Sequence, residues 1–432
     1  MTVTVFVGSL LAAMALGMPI AYALLVCGVA LMGFMAATGA LPAFDSQILA
    51  QRFVDGADNF PLLAVPFFVL AGEFMNAGGL SRRIVNLAMA WVGHYRGGLG
   101  YVAVLAAVIM ASLSGSAVAD TAALSALLIP MMRQAGYQVN RSAGLIAAGG
   151  IIAPVIPPSI GMIIFGVAGN VSITKLFLAG IVPGILMGVA IGLTWWWLAR
   201  RENVQPAPRL PMAERLRITA QGSLALALPV LILGGMKFGV FTPTEAAVVA
   251  AVYSFVVGLF VYRELKWRDL YGLILAAGKT TSIVMFLVAA AMVSAWLITV
   301  ANIPTEVAKM LAPFMDNKTL LMLVIMVIII VVGTALDFTP TVLILTPVLM
   351  PVIKQAGIDP VYFGVLFIMN NAIGLITPPV GTVLNVVCGV ARISLDDAFK
   401  GVMPFFLAQL AVLFSLVLFP DIVLVPLKFL MK

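Results

Sequence analysis

The 432 residues are 63% hydrophobic and 9% charged, with a mean hydropathy of +1.16, which excludes an ordinary soluble domain, where about 25% of residues carry charge. The net charge of +7 invites a nucleic-acid partner, but the basic residues lie between apolar runs, as membrane topology requires, and no nucleic acid is expected. The chain reads as an all-α polytopic protein of the lipid bilayer.

Taken in order, Met1 to Ala37 lacks a basic leader and is too long for the apolar core of a signal sequence, so it is expected as the first membrane segment, retained. Cys27 and Cys388 both fall in apolar stretches with no disulfide or metal spacing, and the lone His94 beside Tyr95 and Arg96 reads as a surface residue. Glu73 is expected near a helix end on the cytoplasmic side.

Tyr101 to Met131, between Arg96 and Arg133, has a polar middle of small residues at Ser112 to Asp120. One straight span would place that middle in hydrocarbon. Two half-length helices meeting at a tip, both opening to the cytoplasm, remove the conflict, because irregular backbone at that depth has to be buried in protein or line a wet cavity. Pro154 to Ser159 then breaks the next apolar run, its prolines removing donors and freeing carbonyls.

The polar stretch Arg200 to Gln221 divides the chain, and the halves repeat. Leu128, Pro130, Gln134, Ala135, Gly136, Leu145, Ile152, Pro157 and Pro158 recur 221 residues on as Leu349, Pro351, Gln355, Ala356, Gly357, Leu366, Ile373, Pro378 and Pro379. Pro183 meets Pro404 at the same offset. The chain is read as an internal duplication. Residues 1–199 form the first repeat, with a hairpin at about 98–135 and a broken helix at about 142–170; residues 200–222 form a basic cytoplasmic linker. Residues 223–432 hold an extra helix and the second repeat, with a hairpin at about 319–355 and a broken helix at about 360–390.

Beyond the linker, Thr242 to Glu245 signals an ordinary capped helix start. The helix to Val261 returns to Arg263, Lys266 and Arg268, Ala276 to Val300 leaves again, and Pro304 to Met315 lies outside. The second hairpin, with its tip at Gly333 to Thr341, enters from that face, so the two repeats are expected to be inverted in the membrane. This assignment places 16 of the 24 Lys and Arg inside and 8 outside, the bias that topology predicts.

Inverted repeats with interrupted helices point to a secondary transporter with its sites at mid-depth. The first expected ion site holds Ser112, Ser114, Gly115, Ser116, Asp120, Pro157 and Ser159, and the second holds Gly333, Thr334, Asp337, Thr339, Thr377, Gly381 and Thr382. Hydroxyls and freed carbonyls suit sodium, a hard monovalent cation, without burying many carboxylates; no cofactor is expected. Ser116, Asn370, Asn371 and Asn385 are expected to bind substrate. Asp120 and Asp337 at bilayer depth would cost about 2.5–3.5 kcal/mol each unless partnered, and a helix-capping role is the plain alternative for both.

The stretch Gly239 to Ala247, the Ser-Gly-Ser hairpin and the Pro157-Pro158-Ser159 and Thr377-Pro378-Pro379-Val380-Gly381 breaks resemble the large (M) subunit of the tripartite ATP-independent periplasmic (TRAP) transporters over essentially the whole chain. That resemblance implies an inner-membrane, sodium-driven symporter for an organic acid such as a dicarboxylate or sialic acid. It also implies an elevator motion of a hairpin-bearing transport domain against a scaffold, and two partners: a small membrane (Q) subunit and a periplasmic substrate-binding (P) protein. With no N-terminal extension long enough for a fused small subunit, the Q partner is expected as a separate polypeptide. Three other readings compete: a related divalent-anion symporter working without a binding protein, a membrane-embedded enzyme, and a channel. For the enzyme, the pair Asp120 and Asp337 is the sole formal catalytic candidate.

Overall fold

The computed structural model describes residues 1–201, 204 and 206–431. Among them every regular element is helical, and nine helices are long and apolar enough to cross a membrane.

The first apolar stretch is two helices rather than one segment. α1 (Thr2–Ala15) and α2 (Ile20–Ala37) are separated at Gly17, whose φ of 79° ends the first, and at Pro19, which starts the second. α3 (Ser46–Ala57) is capped by Asp45, which accepts from the amides of Gln47 and Ile48. α4 (Ala64–Ala77) and α5 (Leu80–Val92) follow, the second starting at a left-handed Gly79.

α6 (Gly98–Ser114) and α7 (Ala117–Gln134) form a helical hairpin, and α8 (Val139–Gly150) and α9 (Ile160–Gly169) flank a non-helical stretch at 151–159. The hairpin keeps to the expected bounds, Gly98 to Gln134, but its arms are longer than half-length: 18 residues make an arm of about 27 Å. α10 (Ile173–Ala199) precedes the linker, and α11 (Met212–Lys237) starts inside it, so the linker expected at 200–222 is helical from Met212 onward. Glu202, Asn203 and Gln205 lie outside the described residues.

α12 (Pro243–Val256) starts at a full capping box between Thr242 and Glu245. α13 (Leu270–Val300), α14 (Ile303–Leu311) and a second hairpin, α15 (Lys318–Ala335) with α16 (Phe338–Gln355), come next. α17 (Pro360–Gly374) and α18 (Thr382–Ala391) flank the second break, and α19 (Leu395–Leu418) and α20 (Asp421–Leu430) close the chain. α7 and α16 have the same length and begin 221 residues apart; α8 and α17 also begin 221 residues apart, though α17 is three residues longer.

α19 fixes the relation of the two hairpins. Near its Leu395 end, the Arg133 guanidinium at the base of the first hairpin donates to the Ala391 carbonyl at 2.6 Å. Near its Leu418 end, Tyr362 donates to the Leu416 carbonyl at 2.9 Å, and Lys318 at the base of the second hairpin donates to Gly357 at 2.8 Å. The bases thus sit at opposite ends of one helix that is 24 residues, about 36 Å, long.

α8 crosses the start of α19 with no room for side chains. A Cβ on Gly144 would strike the Gly401 backbone, and one on Gly401 would strike the Asn140 carbonyl. Gly401→Val should therefore destabilise the detergent-solubilised protein by about 1–3 kcal/mol or more, read as a lower unfolding temperature. Gly278→Ala, with open space around it, should show no loss.

Candidate functional site

At the first hairpin tip, Gly115 has φ 63°, and a Cβ there would collide with the Pro158 carbonyl oxygen and stand 3.0 Å from the Ser159 Cα. Glycine is required twice over: for the left-handed turn and for the approach of the tip to the broken stretch. Ser116 caps α7, its hydroxyl accepting from the Ala119 amide at 3.4 Å. Ser114 donates to Asp120 Oδ1 at 2.5 Å and accepts from the Ser116 amide at 3.1 Å. Asp120 is buried, and its Oδ2 has no partner among the described residues. Capping therefore belongs to Ser116 and leaves the aspartate free of that role.

Across from the tip, Ser159 donates to the Pro154 carbonyl at 2.5 Å and accepts from the Met162 amide at 3.2 Å. It closes the break around Pro157 and caps α9. Ser112 sits further down its helix, donating to Ile109.

The second tip is built with different side chains. Asp337 occupies the cap position of α16 without capping it. Its carboxylate instead accepts from the Thr382 hydroxyl at 3.2 Å, and its carbonyl accepts from the Thr341 hydroxyl at 2.9 Å. The Val380 amide donates to the Thr334 carbonyl at 3.4 Å, so the break is tied to the hairpin through its main chain. Gly333 lies against Gly374, where a Cβ would stand 2.9 Å from the Gly333 oxygen. Gly381, at φ 40°, opens α18. Thr377 donates to Ile373, and the Thr334 hydroxyl to Val331. The Pro157-Pro158 and Pro378-Pro379 bonds are both cis.

The two tips meet. A cavity of about 160 Å³ is lined by Gly115 and Ser116 from the first, Asp337 and Thr339 from the second, Thr382 from the second break, and Thr280 of α13. The other expected site residues do not line it. Asn371 Nδ2 donates to the Phe338 carbonyl at 2.7 Å, and Asn370 Nδ2 to Met326 at 2.7 Å; both are buried, and the Oδ1 of each has no partner among the described residues. Asn385 is exposed and holds the Val380 carbonyl at 2.7 Å. Sequence reasoning missed Thr280. Its signal was there, as a polar pair with Thr281 inside a long apolar helix.

Chemically, the cavity offers hydroxyls, one carboxylate and main-chain oxygens. No cluster of three His, Cys, Asp or Glu side chains able to hold a metal ion occurs among the described residues. Such a wall suits a weakly demanding hard cation and a polar solute better than a tightly bound transition metal.

Known proteins agree with this architecture. Residues 7–422 match the family described as "Tripartite ATP-independent periplasmic transporter, DctM component". The chain is 59% identical over 428 residues to the 2,3-diketo-L-gulonate TRAP transporter large permease protein YiaN of Escherichia coli (strain K12), covering 99% of both. It is 36% identical to the sialic acid TRAP transporter large permease protein SiaM of Vibrio cholerae, covering 94% of both. To the C4-dicarboxylate TRAP transporter large permease protein DctM of Pseudomonas aeruginosa it is 37% identical, covering 87% of this chain and 88% of that one. Its fold is similar to the crystal structure of the Alcanivorax borkumensis YdaH transporter, with a TM-score of 0.65 at 16% identity, covering 91% of this chain and 96% of that one. The chain belongs to the DctM component of the tripartite ATP-independent periplasmic transporters: a large permease subunit, multi-pass in the inner membrane, for organic acid uptake and not an enzyme.

Proposed function

We propose that this permease drives uptake of a small organic acid with sodium, holding one ion at each hairpin tip and moving the tips as a transport domain against a fixed scaffold. In this reading both hairpins are re-entrant and the repeats are inverted. The observation that carries it is the shared cavity: two turns whose bases lie at opposite ends of α19 present Ser116 and Asp337 to the same space. Side-to-side contacts support the topology. Arg96 donates to the Arg200 carbonyl and Arg133 to Ala391, each pair joining ends assigned to the cytoplasm, while Lys318 and Gly357 join ends assigned outside.

The first ion would sit where the Ser114 to Ser116 tip meets the Pro154 to Ser159 break, with the unpaired Asp120 Oδ2 close behind. The second would sit between Asp337, Thr339 and Thr382. Each ion neutralises a local carboxylate and orders a turn, which prepares the space between the tips for a carboxylate substrate. Coupling follows if the fully loaded and the empty carrier can move while the half-loaded one, with an uncompensated charge, cannot.

The substrate arrives from a periplasmic binding protein, and a small membrane subunit completes the scaffold. Membership in a tripartite family favours this over a carrier that works without a binding protein. The 59% identical relative named for 2,3-diketo-L-gulonate makes that sugar acid the first substrate to test.

Asp337→Ala and Ser116→Ala, each assembled with both partners in proteoliposomes, should reduce sodium-driven uptake of 2,3-diketo-L-gulonate at least tenfold, the scale of one lost charge-assisted contact of about 1.5–3 kcal/mol, while assembly is preserved. Full uptake in both would remove the site assignment. Val284 of α13 and Phe338 of the second tip line the same cavity. If α13 is scaffold, a thiol cross-link between Val284→Cys and Phe338→Cys, in a background without Cys27 and Cys388, should stop uptake until reductant is added. Uptake that continues through a completed cross-link would argue against relative motion.

A further inference from the structure

Three helices that wall the hairpin cavity also wall a second one, about 280 Å³, toward the Val300 end of α13. On α13, Thr280 and Val284 face the first cavity and Ala291, Ala295 and Thr299 the second, all at helical spacing along one face. On α9 the sequence of positions is Ile164 then Ala168, and on α16 Thr339, then Leu343 and Pro347. The two spaces lie one after the other along the same three helices. Val284 and Ala291 are separated by roughly 10 Å of helix.

α3 closes the second space and supplies its charged residues, Arg52 and Asp55. The helix is seated firmly. A Cβ on Gly56 would stand 2.7 Å from the Met292 Cβ, and Phe53 packs edge-on to Phe286 at 5.5 Å. The Arg52 guanidinium lies 5.5 Å from the centroid of the Trp296 ring, and its nearest Asp55 oxygen is 3.8 Å away, beyond hydrogen-bonding distance. That pair is about half exposed, at 46% and 52%, so water screens it, and an incoming carboxylate displaces it at little cost. The volume is near the roughly 300 Å³ at which small-molecule sites begin.

We propose that this cavity is an outer waiting site for the transported acid, with the substrate carboxylate on Arg52 and its hydroxyls on Asp55 and Thr299. The inference rests on the uptake reading and narrows its substrate class. Arg52 offers the planar fork that pairs with a carboxylate through two hydrogen bonds. Asp55 accepts from hydroxyls and repels a second carboxylate, so a hydroxylated monocarboxylate is preferred over a dicarboxylate. The Trp296 face packs against the carbon chain.

The test labels the site directly, without turnover. Thr299→Cys, in the Cys27→Ser, Cys388→Ser chain assembled with its partners, is treated with an anionic sulfonate and a cationic ammonium methanethiosulfonate of equal length. The anionic reagent should react faster, by on the order of tenfold relative to its rate in an added Arg52→Gln background, as expected where one fixed charge focuses the local field. Arg52→Lys should retain part of that ratio. D-gluconate should slow labelling more than succinate does. An anion-to-cation ratio unchanged by Arg52→Gln, a thiol that neither reagent reaches, or equal protection by the two acids would overturn the proposal. These readouts stand whether or not uptake is sodium-driven, so failure of the outer site and failure of the coupling mechanism are told apart.

Discussion

A helix interrupted inside an apolar slab must find partners for every amide and carbonyl that the interruption frees, and here the two breaks and the two tips supply much of that need for one another. Ser159 bonds back to the Pro154 carbonyl, and Gly115 rests on Pro158. Val380 donates to Thr334, Asn385 holds the Val380 carbonyl, and Asn371 holds that of Phe338. The second hairpin is therefore hydrogen-bonded to its broken helix, and the first rests on its own through the close approach of Gly115 to Pro158. Small residues make this possible, since any side chain at Gly115 or Gly374 would push tip and break apart.

What those bonds leave unmet bears on function. Asp120 Oδ2, Asn370 Oδ1 and Asn371 Oδ1 are buried without a partner among the described residues. In the proposed cycle a cation satisfies this surplus of acceptors, and the ordered tips then receive an anion that the empty site would repel. The repeats reach the same end with different side chains: at the 221-residue offset, Ser116 in one corresponds to Asp337 in the other. One tip thus carries its carboxylate a turn inside the helix, at Asp120, and the other carries it on the turn itself. The two sites need not have equal affinity for the ion.

Much of this was readable from residue types. The polar, glycine-containing interruptions stood out against an apolar background, and the Pro157-Pro158 and Pro378-Pro379 pairs marked both breaks and fixed the repeat offset. Other features needed three dimensions. Hydropathy could not show that Met1 to Ala37 is two helices, because Gly17 and Pro19 are too few to lower a window average. The helical start at Met212 was hidden by the arginines that made the linker look unstructured. Asn370 and Asn371 were expected at the substrate, yet their amides bond to carbonyls of α15 and α16. Polarity in an apolar helix predicts a partner without saying whether the partner is solute or backbone. The Thr280-Thr281 pair marked a polar spot in α13, but that Thr280 reaches the cavity follows only from the packing of α13 beside α4 and α16.

The central claim is that both tips form cation sites sharing one cavity. Electron cryomicroscopy of the assembled transporter in sodium and, separately, in potassium tests it most directly. The account predicts, in sodium alone, one density between the Ser114 to Ser116 tip and the Pro154 to Ser159 break, and another beside Asp337 and Thr382. Identical maps in the two salts, or tips drawn apart with no density at either, would contradict it.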